Sequence, residues 1–239
     1  GFDFPHMVMD GAIVIEGLPP GAPYLATNDA YRNAFEERAS LESPVRMEVH
    51  SNGTHLIANL TPSIPLGDSI RAWGALAEDN VFYDAGRLGN GVTNHRMTVR
   101  TTVDLGLVDL TTTQVVSMPL PVLEDPTQWY GVIWLQQEPV DGAQFDAHEV
   151  VQSTTHPLRQ TEPTVQDEKG VLMQMYSATW CDTCLFGDLV AEEMLADYGP
   201  STKELAPSSY LANVPWLPLL LVAAAGALFV YFWPMRRAP

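Results

Sequence analysis

Positive charge is scarce in this sequence. Twelve Lys and Arg stand against 29 Asp and Glu, a formal net charge of −17. Such a surface repels nucleic acid and anionic lipid, which excludes general affinity for either. Charge of either sign is sparse, at 17% of residues, while 46% are hydrophobic, enough for one or two domains with a real core. The acidic balance fits a well-solvated extracytoplasmic domain, and also a protein hydrated in high salt.

Cysteine is nearly missing as well. The chain has two, Cys181 and Cys184, too few for a disulfide framework or a four-cysteine zinc site. The six histidines, His6, His50, His55, His95, His148 and His156, show no ligand spacing, so neither a metal nor another cofactor is expected. Also lacking are an initiator Met and a basic-then-apolar leader. The expectation is that a signal peptide has been removed or that upstream sequence is missing. Two sequons, Asn52-Gly53-Thr54 and Asn59-Leu60-Thr61, fit an exported domain, although Pro62 disfavours use of the second.

There is one long hydrophobic run. Val214 to Trp233 is uncharged, and about twenty such residues cross the hydrocarbon core as a helix. Trp216, Tyr231 and Trp233 lie near its ends, where amphipathic rings favour the interface. Arg236 and Arg237 follow, so the positive-inside rule puts the tail 234–239 in the cytoplasm and the bulk of the chain outside. The sequence therefore predicts a single-pass cell-membrane protein that meets the membrane through this helix.

Upstream, "HMVMDGAIVIE" holds two short apolar strands around Asp10-Gly11, a hairpin signal. After "LPPGAP" comes a helix capped at Thr27 or Asn28, with Ala30, Tyr31, Ala34, Phe35 and Arg38 at helical spacing. From residue 43 to 155 the pattern changes to strands broken by Gly, Pro, Asn and Asp. The candidates are 45–51, 54–61, 69–78, 95–104, 113–119, 129–137 and 147–153, and seven such strands indicate an antiparallel β-sandwich. Residues 156–170 are polar and proline-containing and read as a linker. An apolar strand, 171–177, then leads to a helix, 184–198, with Leu185, Leu189, Ala191, Met194 and Leu195 on its apolar side. Residues 200–213 link it to the apolar run.

The chemistry lies in "YSATWCDTC", residues 176–184. Cys181 and Cys184 sit between a hydrophobic strand and a helix, where unpaired N–H groups and the helix dipole stabilise a thiolate. Cys181 is then the attacking thiol and Cys184, three residues on, the one that resolves a mixed disulfide. Trp180 would limit solvent access to the pair. Asp182 opposes thiolate formation, so the potential does not follow from the motif. Redox chemistry, a structural disulfide and half a metal site are the competing readings. A four-residue loop gains little from a disulfide, and no second cysteine pair completes a metal site.

"YSATWCDTC" with its amphipathic helix resembles the thioredoxin superfamily, where strand, Trp-Cys-x-x-Cys turn and helix open the active site. There a further strand and helix follow, then a cis-proline, a β-hairpin and a last helix. "DFPHMVMDGAIVIEG" and "NDAYRNAFEERA", within residues 1–40, are similar to those final parts. The resemblance implies that Pro5 is the cis-proline that packs against the cysteines and helps form the substrate groove with Trp180. The strands of 43–155 resemble the sandwich that follows a thioredoxin-like domain in surface proteins related to a 28-kDa outer-membrane protein. This chain departs from that order, because its Cys-x-x-Cys, within 171–199, comes after the sandwich.

Two arrangements fit the departure. In one, the chain is the remainder of a longer protein with its own upstream motif; in the other, a permuted unit joins 171–198 to the hairpin of 7–16. Both make Gly1 a break rather than a natural start. The expected fold is thus α+β, mostly β: a seven-stranded sandwich flanked by two parts of a thioredoxin-like unit, then a transmembrane helix. The expected function is thiol–disulfide exchange on protein thiols or disulfides. The alternative is a cell-surface binding protein with a structural disulfide and contacts through Trp73, Tyr83 or Trp129.

Overall fold

Alternating apolar residues interrupted by turn formers produce antiparallel strands along most of the chain, and the protein is mostly β with two helices. The computed structural model describes residues 6–16, 24–82, 94–139, 148–178, 184–198 and 228–235. The chain opens with β1 (His6–Met9), β2 (Ile13–Glu16) and helix α1 (Tyr24–Ala39). Next come β3 (Val45–Ser51), β4 (His55–Pro62), β5 (Ile70–Glu78) and β6 (Val81–Phe82). β7 (Asn94–His95), β8 (Thr98–Val108), β9 (Gln114–Pro119), β10 (Trp129–Gln137) and β11 (Val150–Pro157) follow. β12 (Thr164–Gln166), β13 (Val171–Ala178), α2 (Cys184–Tyr198) and β14 (Leu228–Met235) complete the described chain.

Two layers enclose the larger core. One is the four-stranded sheet β12-β3-β4-β9; the other is the β11-β10-β5-β8 portion of an eight-stranded sheet. Met47 and Val49 of β3, Leu56 and Leu60 of β4, Ile70 and Leu76 of β5, Met118 of β9 and Ile133 of β10 meet between them. β8 carries two extra residues, Leu105 and Arg100, which are skipped in its pairing with β5. A bulge of this kind reverses the alternation. Val103 and Leu105 accordingly pack on the larger core, while Val99 packs on a smaller cluster with Trp134 and Leu172.

The two ends of the chain share one sheet. The large sheet continues from β8 through β14 and β13 to β1 and β2. His6 pairs with Tyr176 and Met9 with Met173, while Met9 also pairs with Ile13 across the Asp10-Gly11 turn. Both helices pack on one face of this end: Tyr31 and Phe35 of α1 and Val190 and Met194 of α2 meet Met7, Met9, Met173 and Met175. Burying each large side chain contributes roughly 1.5–3 kcal/mol, so this cluster is the main reason the ends stay together. A polar clasp closes the outer seam: Asn28 donates to Glu193 at 2.7 Å and Arg32 to Asp197 at 2.6 Å. The Phe35 and Tyr198 rings lie 4.3 Å apart.

β13 is also pressed against β11. A Cβ on Gly170 would lie 2.0 Å from the Ser153 carbonyl oxygen, so only glycine permits this approach.

Several boundaries differ from the sequence expectation. α1 starts at Tyr24, not at Thr27 or Asn28; Asn28 accepts from Arg32 inside the helix, and Thr27 is buried. Leu189 is exposed on α2, whose buried face runs through Asp188, Val190, Ala191, Met194 and Leu195. The segment 156–170 is not simply a linker: β11 extends to Pro157, and β12 pairs with β3 through Thr164↔Val49. The largest difference is at Leu228–Met235, where a helix was expected up to Trp233 and a strand is found. It pairs with β13 from Val171↔Met235 to Ala178↔Leu228. Its aromatic and β-branched residues suit a strand as well as a membrane helix, and β13 offers an edge to pair with. Among the described residues no helix is long and apolar enough to cross a membrane; residues 214–227 lie outside the described residues.

Candidate functional site

Of the sequence-derived site residues, Pro5, Trp180 and Cys181 lie outside the described residues, and Cys184 is the first residue of α2. The described elements nevertheless fix where the motif attaches. β13 ends at Ala178 and α2 begins at Cys184, so the segment carrying Trp180 and Cys181 bridges strand end and helix start. β1 begins at His6, immediately after Pro5, and pairs with Tyr176, two residues before the end of β13. The chain therefore enters β1 at the same end of the sheet at which it leaves β13 for the cysteines.

That end carries its own side chains. The His6 and Tyr176 rings meet edge to face at 5.6 Å, and His6 Nδ1 lies 3.5 Å from a Glu16 carboxylate oxygen on β2. Burial pushes the Tyr176 phenol above its usual value, so it stays neutral and can donate a hydrogen bond at any physiological pH. The start of α2 presents backbone N–H groups without intrahelical partners and the positive end of the helix dipole. One turn into α2, Asp188 is buried against α1, where Thr27 and Tyr31 are also buried. Burial, with Asp188 nearby, raises the Tyr31 phenol far above its ordinary range.

A second buried polar group ties α2 to the strands. Asp79 accepts from the Arg96 guanidinium and from the Met97 backbone N–H at 3.3 Å. Burial opposes the charge on Arg96, but Asp79 and then Glu192 of α2 more than offset it. Glu192 is raised by burial in spite of Arg96. A carboxylate raised on folding contributes stability that is fully present below about its ordinary pKa of 4.5 and is lost as pH rises through the folded value. Glu192→Gln should therefore raise the urea midpoint at pH 8 and match the parent near pH 4. A lower midpoint at pH 8 would mean that attraction to Arg96 outweighs the burial of Glu192.

A third set holds the opposite end of β13. Asp10 lies in the β1–β2 turn with φ of 51°, and its backbone N–H donates to the Leu172 carbonyl at 2.8 Å. One of its carboxylate oxygens accepts from the Leu172 N–H at 2.7 Å. The other takes Lys169 Nζ at 3.0 Å and Arg38 Nε at 3.2 Å, and Arg38 also grips Glu149. Burial lowers the Lys169 ammonium, against the pull of Asp10. With its charges matched and its hydrogen bonds made, this group works as a structural clamp rather than a reactive site.

The chain matches no family model, no curated protein and no solved structure. Its function is therefore argued from its own residues. Among the described residues no group of three or more His, Cys, Asp or Glu could hold a metal ion. The aromatics singled out for surface binding are engaged in packing: Trp73 stacks on Trp134 at 6.1 Å, and Trp129 packs against the larger core. Tyr83 lies outside the described residues. Trp129 also borders a shallow depression of about 380 Å³ with Glu78, Glu124 and Asp125 on its rim.

Sequence reading missed the partners Lys169 and Asp188, which are buried, and Glu149 and Glu192, which are partly buried. The available signals were an acidic residue facing the apolar side of a helix, at Asp188, and a lysine directly before an apolar strand, at Lys169.

Proposed function

We propose that the protein is a membrane-anchored, extracytoplasmic thiol–disulfide oxidoreductase whose thioredoxin-like unit is assembled from both ends of the chain. The observation that carries this reading is the antiparallel pairing of β1 with β13, His6↔Tyr176 to Met9↔Met173. It brings the residue after Pro5 beside the strand that leads into Cys181-Asp182-Thr183-Cys184. The placement of α1 and α2 on one face of that sheet supports the same reading. Between the two ends, β3, β4, β5, β8, β9, β10 and β11 make the β-sandwich, and the run from Val214 to Trp233, whose last residues pair as β14 in this structure, is the candidate anchor.

In the reaction, the Cys181 thiolate attacks one sulfur of a substrate disulfide. A Cys181–substrate disulfide forms and the other substrate sulfur leaves as a thiolate. The Cys184 thiolate then attacks the Cys181 sulfur, releasing the second substrate thiolate. The substrate gains two electrons and the protein is left with a Cys181–Cys184 disulfide, which an external dithiol reduces by the reverse exchange. The helix N-terminus at Cys184 favours the anionic sulfur of each intermediate. Trp180 and Pro5 shape the groove beside the pair.

Cys181→Ser should abolish reduction of a disulfide-linked peptide by dithiothreitol-charged protein, because serine does not form the mixed disulfide. Retained turnover in this variant would refute the assignment.

The alternative, a surface binding protein with an inert disulfide, draws on the acidic depression beside Trp129. It requires a Cys181–Cys184 bond that resists mild reductant.

A further inference from the structure

β14 is held very differently by its two neighbours. Along β13 it pairs at every position from Ala178↔Leu228 to Val171↔Met235. Toward β8 a single pair joins it, Tyr231↔Thr98. It also contains Pro234, opposite Leu172, and proline donates no ladder hydrogen bond and is normally confined to edge strands. Along most of its length β14 therefore behaves as an edge strand lying between two sheet segments.

Those segments also have packing of their own. On one side β11-β10-β5-β8 shares the larger core; on the other β13-β1-β2 shares the helix-covered core. Removing β14 divides the eight-stranded sheet into these two parts, which still meet through Ala77, Met97 and Tyr130 in the helix-covered cluster and through Leu172 packed with Ala75, Val132 and Trp134. What it uncovers includes the row of β13 backbone groups from Val171 to Ala178, the Thr98 pair on β8, and the parts of β11, β10 and β5 that lie close to β14.

The residues of β14 also have a second environment available to them. Leu228 to Trp233 are the last third of the uncharged run Val214–Trp233. With β14 in the sheet, only 214–227 would remain, too short to cross the hydrocarbon core as a helix; with β14 released, the full run is long enough. Sheet and bilayer therefore compete for the same residues.

We propose that β14 is an exchangeable strand whose release is driven by a lipid bilayer. In lipid, residues 214–233 form the membrane helix, and the edge of β13 opens beside the Cys-x-x-Cys segment. In the absence of lipid, β14 covers that edge. An uncovered β edge is a row of unpaired donors and acceptors, so covering it also protects the protein from edge-to-edge association before it is inserted. The inference rests on the membrane reading of the tail given above, and it is independent of the thiol chemistry.

The test is hydrogen exchange on the full chain, read by peptide mass spectrometry, in buffer and in phosphatidylcholine vesicles. Flotation of the vesicles reports insertion. The expected result is that the protein floats, that 228–235 stays protected in both conditions, and that 171–178 exchanges at least tenfold faster in vesicles. A Val222→Arg/Ala225→Arg chain, which leaves β14 unaltered, should not float and should keep 171–178 protected throughout. If the parent floats and exchange of 171–178 is unchanged, β14 is not exchangeable, while the anchor stands. If the parent does not float, the membrane reading of the tail fails and the exchange fails with it.

Discussion

Asp10→Ala should destabilise the protein by about 3–5 kcal/mol, the range for breaking a buried ion pair from one side. Asp10 is fully buried, and it faces Lys169, with a side chain only 2% exposed, and Arg38 at 9%. Removing the carboxylate leaves a buried ammonium without that counterion, holding the neutral Val150 carbonyl at 2.6 Å. Arg38 keeps Glu149, so Lys169 bears most of the loss. The Leu172 N–H loses its acceptor as well. Alanine must further adopt the positive φ of the turn, which aspartate tolerates better. Asp10→Asn separates these contributions, because asparagine accepts the left-handed conformation and can still receive the Leu172 N–H. Its deficit should be smaller than that of alanine and should reflect mainly the lost charge. Urea denaturation at pH 7 measures both. Against a typical total of 5–15 kcal/mol, the alanine variant should be close to unfolded at 37 °C. A loss below about 1 kcal/mol would mean that the clamp is not holding the two ends together.

This clamp also shows why part of the fold could be read from the sequence and part could not. Asp10-Gly11 is legible as a turn because the signal is local: two residues suited to positive φ between apolar strands. That Asp10 is also the buried counterion of Lys169 depends on a pairing between residues more than 150 positions apart, which no local pattern encodes. The strands β3, β4, β5, β9 and β10 fall within about a residue of their expected positions, because each has one face on the larger core and the alternation is clean. β8 is less regular, since its bulges at Arg100 and Leu105 break the alternation, and the turn at Met97, with φ of 50°, separates it from β7. β12 is a three-residue edge strand between polar, proline-bearing segments, and composition alone makes it look like a linker.

The helices illustrate the same division. The core positions of α1, Tyr31, Ala34, Phe35 and Arg38, are where the periodicity puts them, and all four are buried. Its start was misplaced because Thr27 and Asn28 are good capping residues, whereas Pro23, directly before Tyr24, is the better marker of the first turn. On α2 the expected positions Ala191, Met194 and Leu195 are buried, while Leu189 is exposed and Val190, outside the expected face, packs into the core. For the candidate site, the cysteines could be read from the motif and its flanking strand and helix. His6, Tyr176 and Glu16 gather at that end of the sheet only because β1 lies against β13. The Val214–Trp233 run illustrates a limit of a different kind: hydrophobicity alone does not choose between helix and strand, and Leu228–Trp233 suit either.

The second large effect is expected at Cys184. Replacing it with serine leaves Cys181 able to attack but removes the thiol that resolves the mixed disulfide. The intermediate, normally short-lived, should accumulate to nearly one equivalent. Incubating reduced Cys184→Ser protein with a disulfide-linked peptide, quenching with acid and mapping the adduct by mass spectrometry reads this directly. The account predicts one peptide linked to Cys181, released by dithiothreitol, and no adduct at Cys184 in the converse Cys181→Ser protein. No adduct on Cys181, or equal labelling of whichever cysteine is left, would contradict a directed thiol–disulfide exchange and return the motif to a structural disulfide.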